Sequence, residues 1–276
     1  MNYAIIGLGY IAEKHLQAIK ATGGNLLYAI DPYHTNGILD KYFLDCKFTR
    51  SYEIFELALE TGDIDYVVIC SPSAMHPKHI NLAHSKGCKV ICEKPIIITI
   101  RQLDDLDCYD DIYVIQQLRY SRNLRFIHPR KVDYTTEEII KIKYHSPRGN
   151  WYRQSWKHLA NMSGGLIMNI GVHLFDLMLY MYGSEHEPRN IELDFHDEQN
   201  ARGSFKLGNI KIIWDLSISP KNEKCRMING VDLSDAENLH EKAYNAILKG
   251  EGITLYESQK NIFLVSEYQE LQGLLT

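Results

Sequence analysis

A glycine turn between a short apolar run and a helix-forming run constrains the fold of this chain more than any other feature. Residues 3–6 are apolar and lead into Gly7-Leu8-Gly9-Tyr10-Ile11-Ala12, and the residues that follow predict a helix over 11–22. Gly7 permits a tight bend, Gly9 lets a pyrophosphate approach the backbone, and Ala12 lets the helix pack closely on the strand. The N–H groups and dipole of the helix N-terminus attract phosphate. The turn therefore predicts a dinucleotide site beside a parallel sheet.

Short apolar runs alternate with helix-like segments along residues 1–118. After the first strand, further strands are predicted at 25–30, 66–70, 89–92 and 112–116. Such alternation is typical of a parallel sheet covered by helices on both faces. We therefore expect residues 1–118 to form a dinucleotide-binding Rossmann domain, and the fold class to be α/β.

The pattern changes in residues 119–276, where strands follow one another without intervening helices. A strand is predicted at 138–144, a long helix at 164–182, and strands at 191–195, 203–207 and 210–218, with a hairpin turn at Gly208-Asn209. This pattern predicts an α+β domain with a mostly antiparallel, open sheet. The few helices leave one sheet face to be covered, so we expect the domain to bind substrate and to form a homo-oligomer, either a tetramer or a dimer.

Composition and charge exclude several classes of protein. The chain has 276 residues and a net charge of −5, which argues against nucleic-acid binding. No apolar run approaches the roughly 20 residues that cross a bilayer, and the first residues do not resemble a secretion signal. Two of the six cysteines have a C-x-x-x-C spacing, but no second pair or histidine cluster completes a metal site. We expect a cytoplasmic protein that binds no metal, membrane or nucleic acid.

Asp31 follows the second predicted strand and indicates which dinucleotide is bound. It lies about 22 residues after Gly9, where a carboxylate can accept hydrogen bonds from the ribose hydroxyls of the adenosine. A carboxylate repels a 2′-phosphate, and no arginine follows directly. These observations favour NAD over NADP as the cofactor.

Two groups of residues are candidates for catalysis. Lys94 lies in Cys92-Glu93-Lys94-Pro95 at the end of a predicted strand, where side chains face the ligand crevice. A lone lysine at a strand end is more often a solvated surface residue, but proline restricts the backbone beside this one. Gly165, Asn169, His173 and Asp176 have helical spacing within an apolar segment. A single polar residue there would be a satisfied core group, whereas a stripe of Asn, His and Asp indicates a site.

These residue types suit the oxidation of an alcohol. The hydroxyl must lose its proton as hydride leaves the carbon, and histidine, with an ordinary pKa near 6.5, is suited to accept it. A lysine ammonium nearby would stabilise the developing alkoxide. Asn169 could orient the substrate or the imidazole.

The motifs GLGYIA, SPSAMHP, EKP and GGLIMNIGVHLFD, in that order, resemble the Gfo/Idh/MocA family of oxidoreductases. The resemblance covers essentially the whole chain and implies NAD(P)-dependent oxidation or reduction of sugars and cyclitols, with Lys94 and His173 at the catalytic centre. Asn169 stands where the family commonly has Asp, which leaves open whether Lys94 or His173 is the base. The cofactor contacts implied by the turn and the family motifs are Gly7, Gly9, Tyr10, Ile11, Ala12, Asp31, Ser71, Pro72, His76, Glu93, Lys94 and Gln117.

Residues 148–157 are rich in basic and aromatic side chains and precede the predicted catalytic helix. With that helix, they resemble the sugar-nucleotide branch of this family, which also has Asn at the position of Asn169. The resemblance implies oxidation at C3 of a UDP-linked N-acetyl-glucosaminuronate to a 3-keto sugar, for cell-surface polysaccharide biosynthesis such as that of lipopolysaccharide O-antigen. Guanidinium groups pair with phosphate or carboxylate, and aromatic faces stack on bases or sugars. The predicted substrate contacts are Arg148, Asn150, Trp151, Tyr152, Trp156, Lys157, Asn169 and His173.

Three alternatives stay open from the sequence. The substrate could be UDP-N-acetylglucosamine, which lacks the uronate carboxylate. The basic stretch could be an exposed loop whose aromatics turn into the core. The chain could also be a non-catalytic NAD-binding sensor or regulator, although such a protein would need neither Lys94 nor His173.

Overall fold

The structure, a computed structural model, describes residues 1–33, 37–61, 63–107, 109, 111–127, 137–183, 185–233 and 238–274, and these divide into two compact units. The first unit comprises Met1–Ile97, Arg101–Gln117 and Asn238–Glu257. The second unit comprises Ile98–Ile100, Leu118–Glu237 and Ser258–Thr276. The chain passes between them at Gln117, next to the predicted boundary, but it also returns to the first unit near the C-terminus. A single boundary at 118 does not describe that return.

The helices and strands are numbered in chain order. The strands are β1 (Asn2–Ile6), β2 (Asn25–Ile30), β3 (Lys47–Thr49), β4 (Tyr66–Ile69), β5 (Lys89–Cys92), β6 (Ile112–Val114), β7 (Glu138–His145), β8 (Pro188–His196), β9 (Asn200–Leu207), β10 (Ile210–Ser217), β11 (Cys225–Ile228) and β12 (Val231–Asp232). The α-helices are α1 (Ala12–Ala21), α2 (Ile38–Tyr42), α3 (Tyr52–Leu59), α4 (His76–Ser85), α5 (Trp151–Gln154), α6 (Ala160–Ser163), α7 (Val172–Tyr182), α8 (Leu239–Leu248) and α9 (Leu255–Leu271).

The first unit is built on a parallel sheet with the order β3-β2-β1-β4-β5-β6. Every pairing in it is parallel. This is the strand order of a dinucleotide-binding fold, in which the order reverses beside the first strand. The buried faces of β1, β4 and β5 explain why these strands are almost continuously apolar. The predicted parallel α/β domain is confirmed.

Helix α8 belongs to the first unit, although the sequence analysis assigned it to the second. Leu239, Ala243, Tyr244 and Ile247 form its buried side. Tyr244 is fully buried, and its ring lies 6.0 Å from that of Tyr3 on β1. The amphipathic pattern of this helix shows that it is buried on one side but not which unit buries it.

The second unit is built on a sheet with the order β12-β11-β7-β10-β9-β8. Only the β7–β10 pairing is parallel among the pairings described in this sheet, so the predicted mostly antiparallel sheet is confirmed. Its core brings together Phe175 of α7, Trp214 of β10 and Tyr268 of α9, whose ring centroids are 4.9–5.6 Å apart. The Trp214 indole N–H donates to the Tyr268 hydroxyl over 2.8 Å, so this buried polar group has a hydrogen-bond partner.

The predicted helix over 164–182 is observed from residue 165 to 182, but a π-helical turn interrupts it near its start. Gly164 and Gly165 have φ angles of +76° and +82°, in the left-handed region that glycine favours, and they separate α6 from this helix. A Cβ on Gly164 would lie 2.5 Å from Cγ of Met168. The chain then forms a π-helical turn over Ile167–Gly171 before α7 begins. Asn169 therefore lies in the π turn and His173 in the first turn of α7, so regular α-helical spacing does not join them.

The sequence led us to expect no run long enough to cross a bilayer, but the stretch Ala160–Tyr182 is long and apolar enough to do so, with a mean hydropathy of 1.4 in its most apolar window. That window is 83% buried inside the fold. Packing against the sheet of the second unit accounts for the apolar character of this segment.

Candidate dinucleotide and substrate sites

The glycine turn has the geometry that the sequence predicts for a phosphate cradle. Gly7 has a φ of +93°, and a Cβ there would lie 2.8 Å from the carbonyl carbon of Cys70. Its N–H donates to the Ile30 carbonyl over 2.8 Å, which ties the turn to β2. A Cβ on Gly9, in contrast, would have no atom within 4 Å. Gly7 is thus required by the fold, whereas the space beside Gly9 is open to a ligand.

Asp31 holds the turn from the neighbouring strand. Its carboxylate is buried and accepts hydrogen bonds from the backbone N–H groups of Leu8 (2.7 Å) and Tyr33 (2.8 Å), one on each oxygen. Asp31 therefore shapes the glycine turn, a role that the sequence did not indicate. Its predicted contact with the adenosine ribose stays a prediction.

The other residues of the turn differ in burial. Ala12 is fully buried, as close packing of α1 on the sheet requires. The side chain of Tyr10 is 89% exposed, so its predicted contact with the cofactor would form at the protein surface. No side chain caps the first turn of helix α1, where the Ala12 and Lys14 N–H groups donate to the carbonyls of Gly9 and Ile11.

Ser71 and His76 follow β4 at the same sheet edge as the glycine turn. The hydroxyl of Ser71 is hydrogen-bonded to Nδ1 of His79 (2.8 Å), whose Nε2 meets the Tyr52 hydroxyl (2.9 Å). Burial lowers the pKa of His79 to about 4, so this histidine is neutral near pH 7. The sequence pattern did not indicate His79, which lies on the first turn of α4.

His76 links two loops through its imidazole. Its Nδ1 lies 2.8 Å from the carbonyl of Pro95 and its Nε2 lies 2.9 Å from the carbonyl of Ser71. Both ring nitrogens are thus used inside the protein, a role that the sequence did not indicate. The predicted cofactor contacts of His76 and of Pro72 in the same loop stay predictions.

Strand register brings Lys94 to this edge. Ile6 pairs with Ile69, and Ile69 pairs with Cys92, so the residues that follow each strand lie side by side. Lys94 is half-buried, and its N–H donates to Oε2 of Glu93 over 3.1 Å. The Glu93 carboxylate is buried against His15 and His240, so it faces the interior of the unit.

Gln117 ends the first unit just after β6. Its side-chain oxygen is buried and has no hydrogen-bond partner among the described residues. A buried amide oxygen without a partner is costly unless a ligand or water satisfies it. This observation fits the predicted cofactor contact of Gln117.

His173 and Asn169 lie in the second unit, His173 buried and Asn169 half-buried. The ring of His173 is 6.1 Å from that of Tyr144 on β7. Asp176, the last member of the predicted stripe, is buried and accepts two hydrogen bonds from the guanidinium of Arg119, at 2.8 and 2.6 Å. Asp176 is thus one half of a structural ion pair, and the interpretation of the whole stripe as a site was too broad.

A cleft of about 770 Å³ lies within the second unit, beside β7 and the β8–β9 turn. Of the predicted substrate residues, Arg148, Asn150 and Tyr152 line it. Trp151 is half-exposed with its ring 5.7 Å from the Arg148 guanidinium, and Lys157 lies 5.8 Å from the ring of Trp156. The lining residues that the sequence did not indicate come from distant segments; they include His158, His196, Gln199 and Gln272.

Two polar atoms of residues that line this cleft have no hydrogen-bond partner among the described residues. They are Nε of Arg148, a donor, and Oε1 of Gln272, an acceptor, and both are buried. Native proteins rarely leave such atoms unsatisfied, so a polar ligand or water is expected there. The cleft therefore has the features of an anion-binding or polar-ligand site, and the alternative in which the aromatics simply fill the core does not account for it.

The two glycines of the turn allow folding and cofactor binding to be separated. We expect Gly9→Ala to keep the melting temperature of the wild type, because its Cβ meets no atom, while weakening NADH binding more than tenfold. Gly7→Ala should lower the melting temperature strongly, since its Cβ collides with the backbone at Cys70. Fluorescence titration with NADH and thermal unfolding of both variants check this. Unchanged NADH affinity in Gly9→Ala would contradict a pyrophosphate at this turn.

Family models match both units of the chain. Residues 1–108 match the model described as an oxidoreductase family with an NAD-binding Rossmann fold, and residues 138–206 match the GFO/IDH/MocA C-terminal domain. Among catalogued proteins, 2,7-anhydro-N-acetylneuraminate hydratase from Mediterraneibacter gnavus is 24% identical over 191 residues, which are 66% of this chain and 50% of the relative. The chain thus spans about half the length of the curated relatives it matches.

Solved structures match over almost the whole chain. The WlbA (WbpB) dehydrogenase from Thermus thermophilus in complex with NAD and UDP-GlcNAcA aligns with a TM-score of 0.87 and 29% identity, over 96% of this chain and 94% of that one. The same dehydrogenase in complex with NAD and α-ketoglutarate aligns with a TM-score of 0.86 and 30% identity, at the same coverage. With both units matched by its models, the chain is a member of the Gfo/Idh/MocA family, and its first unit is the NAD-binding Rossmann domain of that family.

Proposed function

We propose that the protein uses NAD to oxidise the C3 hydroxyl of UDP-N-acetylglucosaminuronate (UDP-GlcNAcA) to a 3-keto sugar. The observation that carries the proposal is the likeness, over 96% of the chain, to the Thermus thermophilus dehydrogenase solved with NAD and this sugar nucleotide. Its product would be a ketone that a transaminase can convert, as the synthesis of amino sugars for cell-surface polysaccharides such as lipopolysaccharide requires.

The guanidinium of Arg148 in the cleft of the second unit supports an anionic substrate. UDP-GlcNAcA carries a pyrophosphate and a carboxylate, and a guanidinium can bind either one through two parallel hydrogen bonds. The guanidinium of Arg148 has no ion pair among the described residues. The cleft also contains the acidic side chains of Asp197 and Glu198, and Asp197 accepts hydrogen bonds from the backbone N–H groups of Gln199 and Asn200. The proposed anion contact therefore rests on the guanidinium of Arg148 and not on the net charge of the cleft.

We assign the proton transfer to His173 and the charge stabilisation to Lys94. Oxidation of a secondary alcohol removes one hydride from carbon and one proton from oxygen. When NAD is bound it accepts the hydride. His173 would accept the proton, while the Lys94 ammonium would lower the pKa of the hydroxyl and stabilise the oxygen as its charge develops. Asn169, half-buried one π turn before His173, would orient the substrate hydroxyl.

Two alternatives have distinct signatures. A 3-dehydrogenase of UDP-N-acetylglucosamine would oxidise that sugar at least as efficiently as its uronate. A non-catalytic NAD-binding sensor would bind NADH but oxidise neither sugar. Incubation with NAD and each sugar nucleotide, followed by NADH absorbance and by the mass of the product, separates all three, because oxidation lowers the sugar mass by two hydrogens.

Arg148→Ala should raise the KM for UDP-GlcNAcA about tenfold or more, while kcat at saturation stays within a few-fold of the wild type. Loss of a hydrogen bond to a charged group costs about 1.5–3 kcal/mol, and Arg148 is assigned to binding rather than to the reacting atoms. Arg189→Ala, at an exposed position on β8 in the same unit, is the matched control and should leave both constants unchanged. An unaltered KM in Arg148→Ala would remove the cleft from the proposal.

Lys94→Ala and His173→Ala should each lower kcat by about a hundredfold or more, the usual contribution of a positioned acid–base or electrostatic group. NADH affinity should fall much less than in Gly9→Ala, because neither residue belongs to the glycine turn that is predicted to hold the pyrophosphate. Steady-state kinetics with UDP-GlcNAcA, together with NADH titration, measure both quantities. Turnover near that of the wild type in both variants would overturn the mechanism and favour the non-catalytic alternative.

We also propose that the chain forms a homo-oligomer in the cytoplasm through the open face of the sheet in the second unit. Ile139 is 51% exposed on this face, and a groove of about 310 Å³ is lined there by Ile213 and Met227, with Lys141 and Lys143 beside them. Five free cysteines among the described residues fit a reducing compartment.

Light scattering at micromolar concentration should give a dimer or tetramer, and Ile139→Asp should shift it towards the monomer. A monomeric wild type would refute the assembly.

A further inference from the structure

A buried cluster of two histidines and a carboxylate lies directly behind Lys94 in the first unit. Oε1 of Glu93 is 3.0 Å from Nε2 of His15 and 3.3 Å from Nε2 of His240. Oε2 of the same carboxylate accepts the backbone N–H of Lys94 over 3.1 Å. On the far side, Nδ1 of His15 lies 2.8 Å from the hydroxyl of Tyr244. The Glu93 carboxylate thus lies within hydrogen-bond distance of three nitrogen atoms, which belong to α1, to α8 and to the loop after β5.

The hydrogen-bonding capacity of the cluster fits one arrangement of protons. A carboxylate can only accept, so each histidine must carry a proton on Nε2 and donate it to Glu93. His15 can then be neutral only with an unprotonated Nδ1, which accepts from Tyr244. Every contact in the cluster has a donor and an acceptor in this arrangement, as a buried polar network requires.

The charges of the groups agree with this arrangement. Burial lowers the pKa of His15 below its ordinary value, so the ring is neutral near pH 7. Burial by itself raises the pKa of Glu93, but the hydrogen bonds from His15 and His240 outweigh it and hold the pKa of the carboxyl well below its ordinary value. Burial raises the pKa of Tyr244, which keeps its hydroxyl protonated as a donor. The Glu93 carboxylate therefore carries a negative charge beside the Lys94 backbone.

The cluster joins three elements that are far apart in sequence. His15 lies on α1, the helix that begins at the glycine turn, Glu93 follows β5, and His240 and Tyr244 lie on α8. The side chains of His15 and Glu93 are almost fully buried. Through these bonds α8 is tied both to the helix that carries the phosphate turn and to the backbone of Lys94.

We propose that Glu93, His15 and His240 form a positioning network that holds the Lys94 backbone in place relative to the glycine turn, with α8 as its closing element. None of the three is assigned a contact with substrate. They act through Lys94, so this inference rests on the proposed catalytic role of that lysine. Precise placement matters because a small displacement of a catalytic group costs much of its effect on rate.

The same donor atoms could instead bind a divalent cation, because His15, Glu93 and His240 offer ligand atoms within 4.8 Å of one another. The hydrogen-bonded arrangement is favoured because it satisfies each of these atoms without an ion. A bound metal would replace the Nε2 protons of both histidines, so the two arrangements are distinguishable by the position of the protons.

The first test reads those protons directly, without any sugar substrate. In the purified full chain labelled with 15N-histidine, long-range 1H–15N NMR spectra should show His15 as the neutral tautomer protonated at Nε2. The Lys94 amide should exchange slowly with solvent in the wild type and at least tenfold faster in Glu93→Gln. A His15 protonated at Nδ1 alone, a stoichiometric metal in elemental analysis, or a Lys94 amide that exchanges equally fast in both proteins would each overturn the network.

The second test asks whether the network serves catalysis rather than folding alone. Glu93→Gln and His240→Gln should lower kcat at least tenfold, with NADH affinity and the KM for UDP-GlcNAcA within threefold of the wild type. Glu53→Gln, at an exposed position on α3, is the control and should match the wild type. A lower melting temperature with unchanged kcat would show a purely structural cluster and overturn the proposal. If no UDP-sugar is oxidised at all, the proposed function fails, while the NMR result still decides the network.

Discussion

The pairing of β1 with β4 and of β4 with β5 is the constraint on which the candidate cofactor site depends. Because these strands are parallel and in register from Ile6 to Ile69 to Cys92, the three loops that follow them leave the sheet at one edge. Gly7, Ser71 and Lys94 come from those loops, and no local interaction along the chain could bring them together. The apolar character of the strands is what permits the pairing, since both faces of this sheet are buried.

Around this edge, several polar groups hold the loops in place. Asp31 ties the glycine turn to β2, His76 joins the carbonyls of Ser71 and Pro95, and Glu93 accepts the Lys94 N–H. Each bond lies in a buried setting, where an unsatisfied partner would be costly. The shape of the edge is therefore maintained by a shell of hydrogen bonds beneath the residues that face outward.

In the second unit, packing of aromatic side chains holds the elements together. Its aromatic core packs α7 and α9 against β10, and the paired glycines at 164 and 165 together with the π turn set where α7 begins. A π turn places side chains differently from an α-helix and is often found at functional sites. Asn169 lies within it and His173 just after it. Asp176, one turn further on, is committed to Arg119, which anchors α7 to the segment that enters the unit.

The sequence by itself determined the parts of this protein that depend on local pattern. The glycine turn, the alternation of apolar runs with helices, the acid after β2 and the Glu-Lys-Pro segment were sufficient for the Rossmann sheet, the choice of NAD and the family. These signals are local because a turn, a strand or a helix start requires particular residue types at short spacing. Only the tertiary structure decided which unit contains α8 and that its His240 lies with His15 on the Glu93 carboxylate. It also decided that Asp176 pairs with Arg119. The same holds for Gln272, which lines one cleft with Arg148. Each of these contacts joins residues far apart in the chain. An amphipathic pattern would allow many other pairs of residues to meet, and burial, charge compensation and packing determine which pairs form.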